Sequence, residues 1–373
     1  MAKAQVEAVA TLLDALWDAK GSDLLVTAGT APLMRVDGKL TPVPNEPSYT
    51  PELTQQLVMG IMDMELKARF KRAKQIDFSF SYRDRARVRV NAFRQKGTLA
   101  MALRLIPNRV PSFDELGLPP IVEEWAMLPQ GFILVIGATG SGKSTTLASM
   151  IGHINRNRPC HIITIEDPIE YLHEHNVAAV DQREIGEDTE SFPLALRAVL
   201  REDPDVVLVG EMRDLESIQN ALTIAETGHL VFATLHANDT GQAVDRIVDV
   251  FPGDEQGQIR LQLANTLVGI LYQTLVPKIG GGRVAAFEIL VGTNAVKNLI
   301  REGKTRQIRN VVATSQRDRM QTLETCLAGL VDTGVVTYEE AISRSMNPAE
   351  IRNPMAAPPT PVEPAPAKRG LRR

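Results

Sequence analysis

Nine consecutive residues, Gly137, Ala138, Thr139, Gly140, Ser141, Gly142, Lys143, Ser144 and Thr145, have the types and order that grip a phosphate chain. Glycines let the backbone turn tightly and aim successive N–H groups at one point. Lys143 can reach the outer phosphates, and the Ser144 hydroxyl can hold Mg²⁺. An apolar run at 132–136 leads into these residues and helix-compatible sequence follows them. That is the order of strand, turn and positive helix end that phosphate binding needs. A glycine-rich connector without a ligand would have to supply the Lys-Ser pair and the preceding strand by coincidence.

Three further polar clusters adjoin predicted strands, where an open α/β sheet binds its ligand. The first, Glu166, Asp167 and Glu170, follows the run at 162–165. A carboxylate there can orient an attacking water, and Glu166 stands nearest the strand end; the plainer alternative is a solvated acidic turn. The second is Glu211, after the run at 206–209, in the apolar-then-acidic form of a Walker B segment. Such an acid binds Mg²⁺ directly or through water, and a Glu here is also a candidate base. The third is His229, before the run at 230–234, with His236 just beyond that run. A histidine there can hydrogen-bond a γ-phosphate, although a lone histidine is commonly structural. His153, His161, His173 and His175 show no metal-ligand spacing.

Arg85, Arg87 and Arg89 alternate with Ala86, Val88 and Val90 and so share one face of a predicted strand, and Arg104 stands on the next strand. They are solvated residues, nucleic-acid contacts or charges lent to a neighbouring subunit's nucleotide. No aromatic residues interleave with them, which disfavours single-strand binding. An arginine finger supplied in trans gives a reason for a basic strand in an acidic chain.

The frame that must position these groups is read from the rest of the chain. A length of 373 residues suits about two domains, and 44% hydrophobic with 23% charged residues is a globular composition. The net charge of −4 argues against nucleic-acid binding by global charge. Cys160 and Cys326 have neither disulfide-framework nor zinc-knuckle spacing. The first twenty residues lack a signal-type apolar core and no stretch reaches membrane-spanning length, so the expected compartment is the cytoplasm.

Residues 1–106 read as a small α/β domain of antiparallel strands with two helices, the second capped by Thr50 and opened by Pro51. Residues 107–114 read as a linker in which Ser112 and Glu115 form a capping box. From 115 to 346, near-continuous apolar runs suit a parallel sheet covered on both faces. The pattern from 244 to 275 and onward is helical, with one strand candidate at 284–290. Residues 347–373, rich in proline and ending KRGLRR, are expected to be disordered.

The segments GATGSGKSTT, TIEDPIEY, REDPDVVLVGEMRD and AETGHLVFATLHAND, in this order, resemble the secretion-type ATPases that drive type IV pili and type II secretion. The resemblance covers about residues 7–345. It implies a RecA-like P-loop domain preceded by a PAS-like domain, and a ring hexamer with ATP sites between the two. It places the family's arginine pair on Arg89 and Arg104, its catalytic glutamate on Glu166 and its histidine on His229. The stretch around 295–302 and Met320-Gln321-Thr322-Leu323, where Arg319 replaces a glycine, resemble the PilT-type retraction ATPases. GSDLLVTAG and LHAND resemble the accessory PilU-type paralogues instead. The four-cysteine zinc insert of extension and secretion relatives is missing. The implied partners are copies of the same chain, an inner-membrane platform protein of the pilus and paralogous pilus ATPases, at the cytoplasmic face of the inner membrane. The readings to be separated are a retraction motor, an extension or secretion ATPase, and a non-catalytic nucleotide-responsive subunit.

Overall fold

The computed structural model describes residues 2–36, 38–83, 85–107 and 109–353; Asp37, Asn108 of the expected linker and the chain from 354 onward lie outside them. The N-terminal half runs α1 (Ala2–Asp18), β1 (Asp23–Thr27), β2 (Leu33–Val36), β3 (Lys39–Pro42), α2 (Pro51–Gly60), α3 (Met64–Ala73), β4 (Gln75–Tyr82), β5 (Ala86–Gln95) and β6 (Thr98–Pro107). Its six strands form an antiparallel sheet in the order β3-β2-β1-β6-β5-β4. One face is apolar: Val88, Val90, Leu103 and Val26 pack against Leu12, Leu13 and Leu16 of α1 and Leu57 and Val58 of α2.

Three helices stand here where the sequence reading expects two. The extra one, α3, is rich in charge and buries Phe70 alone, so its apolar periodicity is weak. Its ends carry the signal instead. Asp63 accepts a hydrogen bond from the Leu66 amide at 2.8 Å, and Lys74 closes the helix in a left-handed conformation.

Ser112 and Glu115 exchange both bonds of a capping box at the start of α4 (Phe113–Leu116). There follow α5 (Pro120–Ala126), β7 (Gly131–Ile136), α6 (Lys143–Asn157), β8 (His161–Glu166), β9 (Ala179–Glu184), α7 (Phe192–Val199), β10 (Val206–Val209), α8 (Leu215–Glu226) and β11 (Leu230–Leu235). The chain continues through α9 (Thr240–Asp249), α10 (Gln256–Thr266), β12 (Leu267–Pro277), β13 (Arg283–Val291), α11 (Asn294–Arg301), α12 (Ile308–Thr314), α13 (Leu323–Asp332) and α14 (Tyr338–Arg344). The second sheet has the order β13-β12-β7-β11-β10-β8-β9 and is parallel except for the β12–β13 pair. Every residue of β7, β10 and β11 is buried, which is why these strands read as unbroken apolar runs. Along β7, Phe132, Leu134 and Ile136 face one helical layer while Ile133 and Val135 face α5 and α6.

Two expectations need correction. Residues 267–277 are strand, not helix: Leu267, Ile270 and Leu271 keep a spacing that a helix also allows, and it is pairing with β7 and β13 that makes the segment a strand with Leu267, Ile270, Leu271 and Val276 buried. The packed chain also runs past 346. Ile351 is 3% exposed and Glu350 accepts a hydrogen bond from Arg309 at 2.6 Å. Among the described residues no helix is long and apolar enough to cross a membrane.

The two halves meet at a buried ion pair. Arg87 of β5 donates to Glu184 of β9 at 2.7 Å, and the same carboxylate accepts from Ser79 at 3.3 Å and from the Ile169 amide at 3.1 Å. Their side chains are 16% and 6% exposed. Removing one partner leaves the other charge desolvated and unpaired, so Glu184→Ala should lower stability by about 3–5 kcal/mol, read by urea unfolding.

Candidate functional site

All residues that follow the C-terminal ends of β7, β8, β10 and β11 emerge at one edge of the second sheet. The phosphate loop leaves Ile136 and enters α6 through Gly142, which holds φ 93° and caps the helix without a side-chain bond. The first-turn amides therefore have neither an intrahelical acceptor nor a capping side chain, and they share the positive end of the helix. Gly137 holds φ 146°, and a Cβ there would stand 2.3 Å from the Gln273 carbonyl oxygen. The Ser141 hydroxyl is buried and has no hydrogen-bond partner among the described residues.

Lys143 donates to the carbonyls of Gly137 and Ala138 at 2.9 and 3.0 Å. Burial pulls its pKa below the usual lysine value, and the carboxylates of Glu211 and then Glu170 oppose that shift. The ammonium thus sits at the loop within the field of two acids. Thr145 shares a 3.0 Å hydrogen bond with the Tyr171 hydroxyl, which ties the first turn of α6 to the acidic segment after β8. Ser144 lies in that same first turn, partly exposed.

Glu166 ends β8 with one oxygen accepting from Thr164 Oγ1 at 2.7 Å and Gln182 Nε2 at 3.2 Å. Desolvation pushes its pKa up to about 7; the two hydrogen bonds act against this, and the nearby Glu170 carboxylate adds to it. A carboxylate poised near neutrality is suited to taking a proton from water.

Glu211 follows β10 and is bound from two sides, by Arg213 at 2.6 Å and His236 Nε2 at 3.1 Å. Burial would raise its pKa, but the Arg213 hydrogen bond and charge, with His236 and Lys143, hold it below the ordinary carboxylate value. The ionised Glu211 and the Ser144 hydroxyl are hard oxygen donors, which fits Mg²⁺ held by few protein ligands and otherwise by phosphate and water. No group of three or more His, Cys, Asp or Glu side chains able to hold a metal exists among the described residues.

The histidine expectation is corrected. His229 precedes β11, so it stands at the N-terminal edge of the sheet, where its carbonyl accepts from the Gly131 amide and its ring meets Thr227 and the Ile224 carbonyl. The strand β11 separates it from the phosphate loop by roughly 20 Å at about 3.3 Å per residue. His236, at the other end of that strand, is the one beside the loop, with Nδ1 3.1 Å from the Gly137 carbonyl and Nε2 on Glu211. The distinction was legible: a residue before a parallel strand and one after it lie at opposite edges.

Arg89 and Arg104 are register partners on β5 and β6, and Asp23 is the next residue across, on β1. Arg104 donates to Asp23 at 2.8 Å, whereas the Arg89 guanidinium makes no hydrogen bond or ion pair with a described residue. Arg87 shares the face of Arg89 and reaches Glu184 of the second sheet, so this row is turned toward the nucleotide-binding half.

The family model for the type II/IV secretion system protein matches residues 33–281. The Pseudomonas aeruginosa type IV pilus retraction ATPase PilT is 46% identical over 327 residues, 88% of this chain and 95% of that protein. The type IV pilus ATPase PilU of the same organism is 42% identical over 342 residues, 91% of this chain and 89% of its own length. A crystal structure of the pilus retraction motor PilT with bound ADP superimposes with a TM-score of 0.85 at 47% identity, covering 92% of this chain and 98% of that one. A match of this extent, running through both sheets and the loop at the end of β7, shows that the chain belongs to the type II/IV secretion ATPase family, among its PilT-like pilus ATPases.

Proposed function

We propose that the protein is a hexameric ATP-hydrolysing motor that powers type IV pilus retraction, withdrawing pilin subunits from the pilus base. The observation that carries the reading is the convergence of Lys143, Glu166, Glu211 and His236 at one sheet edge in a chain 46% identical to PilT. Residues 1–106 act as the PAS-like arginine-bearing domain and 115–346 as the RecA-like domain, joined by 107–114.

Gly137, Ala138, Thr139, Gly140, Ser141, Gly142, Lys143, Ser144 and Thr145 hold the phosphates through backbone amides, the ammonium and hydroxyls. Glu166 takes the proton of the attacking water. Glu211 and the Gly137 carbonyl hold the His236 ring beside the loop. Mg²⁺, held by Ser144 and, directly or through water, by Glu211, would neutralise phosphate charge. Arg89 and Arg104 neutralise the charge that develops on the transferred phosphoryl group, from the other structural half. Closing the two halves on ATP and releasing them after hydrolysis moves a platform protein at the cytoplasmic face of the inner membrane.

Deletion of the gene separates retraction from extension: loss of a retraction motor leaves abundant surface pili without twitching, and loss of an extension motor leaves bald cells. Complementation with Lys143→Ala should fail. The purified variant should lose at least about a hundredfold of wild-type turnover, because the charge at the outer phosphates is gone. The match to PilU favours one second reading, an accessory subunit of a paralogous motor. Steady-state turnover by the pure protein decides against a non-catalytic form of that role.

A further inference from the structure

Gln273 is 3% exposed in β12, a strand otherwise built largely of Leu, Val and Ile. A leucine would fill such a position without the cost of desolvating an amide. The carboxamide is retained where each end has a partner on the phosphate loop. Nε2 donates to the Ser141 carbonyl at 2.8 Å, and Oε1 accepts from the Thr146 hydroxyl at 2.7 Å in the first turn of α6. The register explains the reach. Tyr272 pairs with Ile136, so Gln273 lies beside Gly137, where β7 gives way to the loop.

Close approach completes the picture. A Cβ on Gly142 would stand 2.6 Å from Gln273 Nε2, as one on Gly137 would stand 2.3 Å from its carbonyl. The glycines at the loop's two ends thus leave room for Gln273 as well as for the turn. We propose that Gln273 is the positioning residue of the phosphate loop: one buried carboxamide holds the Ser141 carbonyl turned away from the phosphates and fixes the helix start against it. A peptide whose carbonyl is pinned outward keeps its following amide, that of Gly142, aimed inward. Gln273 itself touches no phosphate; it acts through the loop.

The inference rests on the nucleotide site described under the proposed function, and the test separates the two. Gln273→Glu keeps the acceptor for Thr146 but, when ionised, faces the Ser141 carbonyl with a second oxygen. When protonated, its O–H can donate to that carbonyl. Binding of a fluorescent ADP analogue with Mg²⁺ is measured for wild type, Gln273→Glu and Gln273→Leu at pH 8 and pH 6, as ratios to wild type at each pH. At pH 8, Gln273→Glu should bind about tenfold to a hundredfold more weakly, the loss expected when a buried hydrogen bond is replaced by an unsatisfied group. At pH 6 most of that loss should return, while Gln273→Leu stays weak at both.

Wild-type affinity of Gln273→Leu overturns the assignment. So does a Gln273→Glu protein that binds no more tightly than Gln273→Leu at pH 6, which leaves the residue only a packing role. Should Gln273→Glu fail to fold, Thr146→Val removes one arm of the same clamp. Binding weakened severalfold then supports the proposal, and unchanged binding overturns it. A wild-type protein that binds no nucleotide at either pH instead defeats the nucleotide-site reading, with the Gln273 bonds untouched.

Discussion

Glu166→Gln should give a folded, ATP-binding protein that turns over about 10²- to 10⁴-fold more slowly than wild type, the usual worth of a positioned general base. The substitution is conservative in every respect but charge. The carbonyl oxygen of the amide can still accept from Thr164 and Gln182, so the local hydrogen bonds survive. What is lost is the ability to take a proton from water.

The same replacement should stabilise the nucleotide-free protein, and pH fixes the sign. The folded carboxyl has a pKa of about 7, above its ordinary 4.5. Below the ordinary value both folded and unfolded states hold the proton and the shift contributes nothing. Between the two values only the folded state keeps it, so stability falls as pH rises; above about 7 the full cost of the buried charge is present. Thermal unfolding should therefore show the variant and wild type close together near pH 5. By pH 8 the variant should be about 1–3 kcal/mol more stable, with the upper figure reduced because the residue is partly exposed. In turnover the dependence is reversed: kcat/KM reports the free enzyme, and its acid limb should have a midpoint near 7 in wild type. A variant both less stable at pH 8 and as active as wild type would remove Glu166 from the chemistry.

The gathering of the candidate residues at one sheet edge was legible because they are adjacent in sequence to strands that announce themselves. A fully buried parallel strand must be apolar throughout, so 132–136, 162–165, 206–209 and 230–234 stand out, and the polar residue after each falls on the same edge. Treating a residue before a strand as equivalent to one after it put His229 in the site; strand direction alone would have chosen His236. Gln273 was hidden for a different reason. Its role depends on β12 lying next to β7, a pairing between segments more than a hundred residues apart that no local pattern encodes. An apolar run such as that around Gln273 does not distinguish strand from buried helix by periodicity. Helix α3 was missed because its stability comes from its caps and one phenylalanine. The clamp between Arg87 and Glu184 was half visible, since the arginine face was read but its acidic partner on β9 was not.

Arg89→Ala and Arg104→Ala should each slow turnover steeply while leaving ATP affinity within a few-fold of wild type; arginines that meet a transferred phosphoryl group are worth about 10³- to 10⁵-fold. The sheet itself argues for an anion here. Like charges directly opposite one another on neighbouring strands are destabilising, yet Arg89 faces Arg104 across β5 and β6. Asp23 offsets only one of them, through a pair with Arg104, which is 60% exposed, and exposed pairs contribute little. Two guanidinium groups kept side by side at that cost, on the face turned toward the nucleotide half, suit a ligand carrying several negative charges. Removing either should leave thermal stability unchanged or slightly higher without nucleotide, and lower the extra stability gained on adding Mg-ATP. Mixing subunits then tests which chain supplies the charge. Lys143→Ala subunits retain the arginines, and Arg104→Ala subunits retain the phosphate loop. If the arginines act across a subunit boundary, mixed rings place an intact loop beside intact arginines and recover part of the turnover that neither variant shows alone. If they act within one chain, no mixture contains a complete site and turnover stays at the level of the variants, which would assign ring closure to movement inside a single subunit.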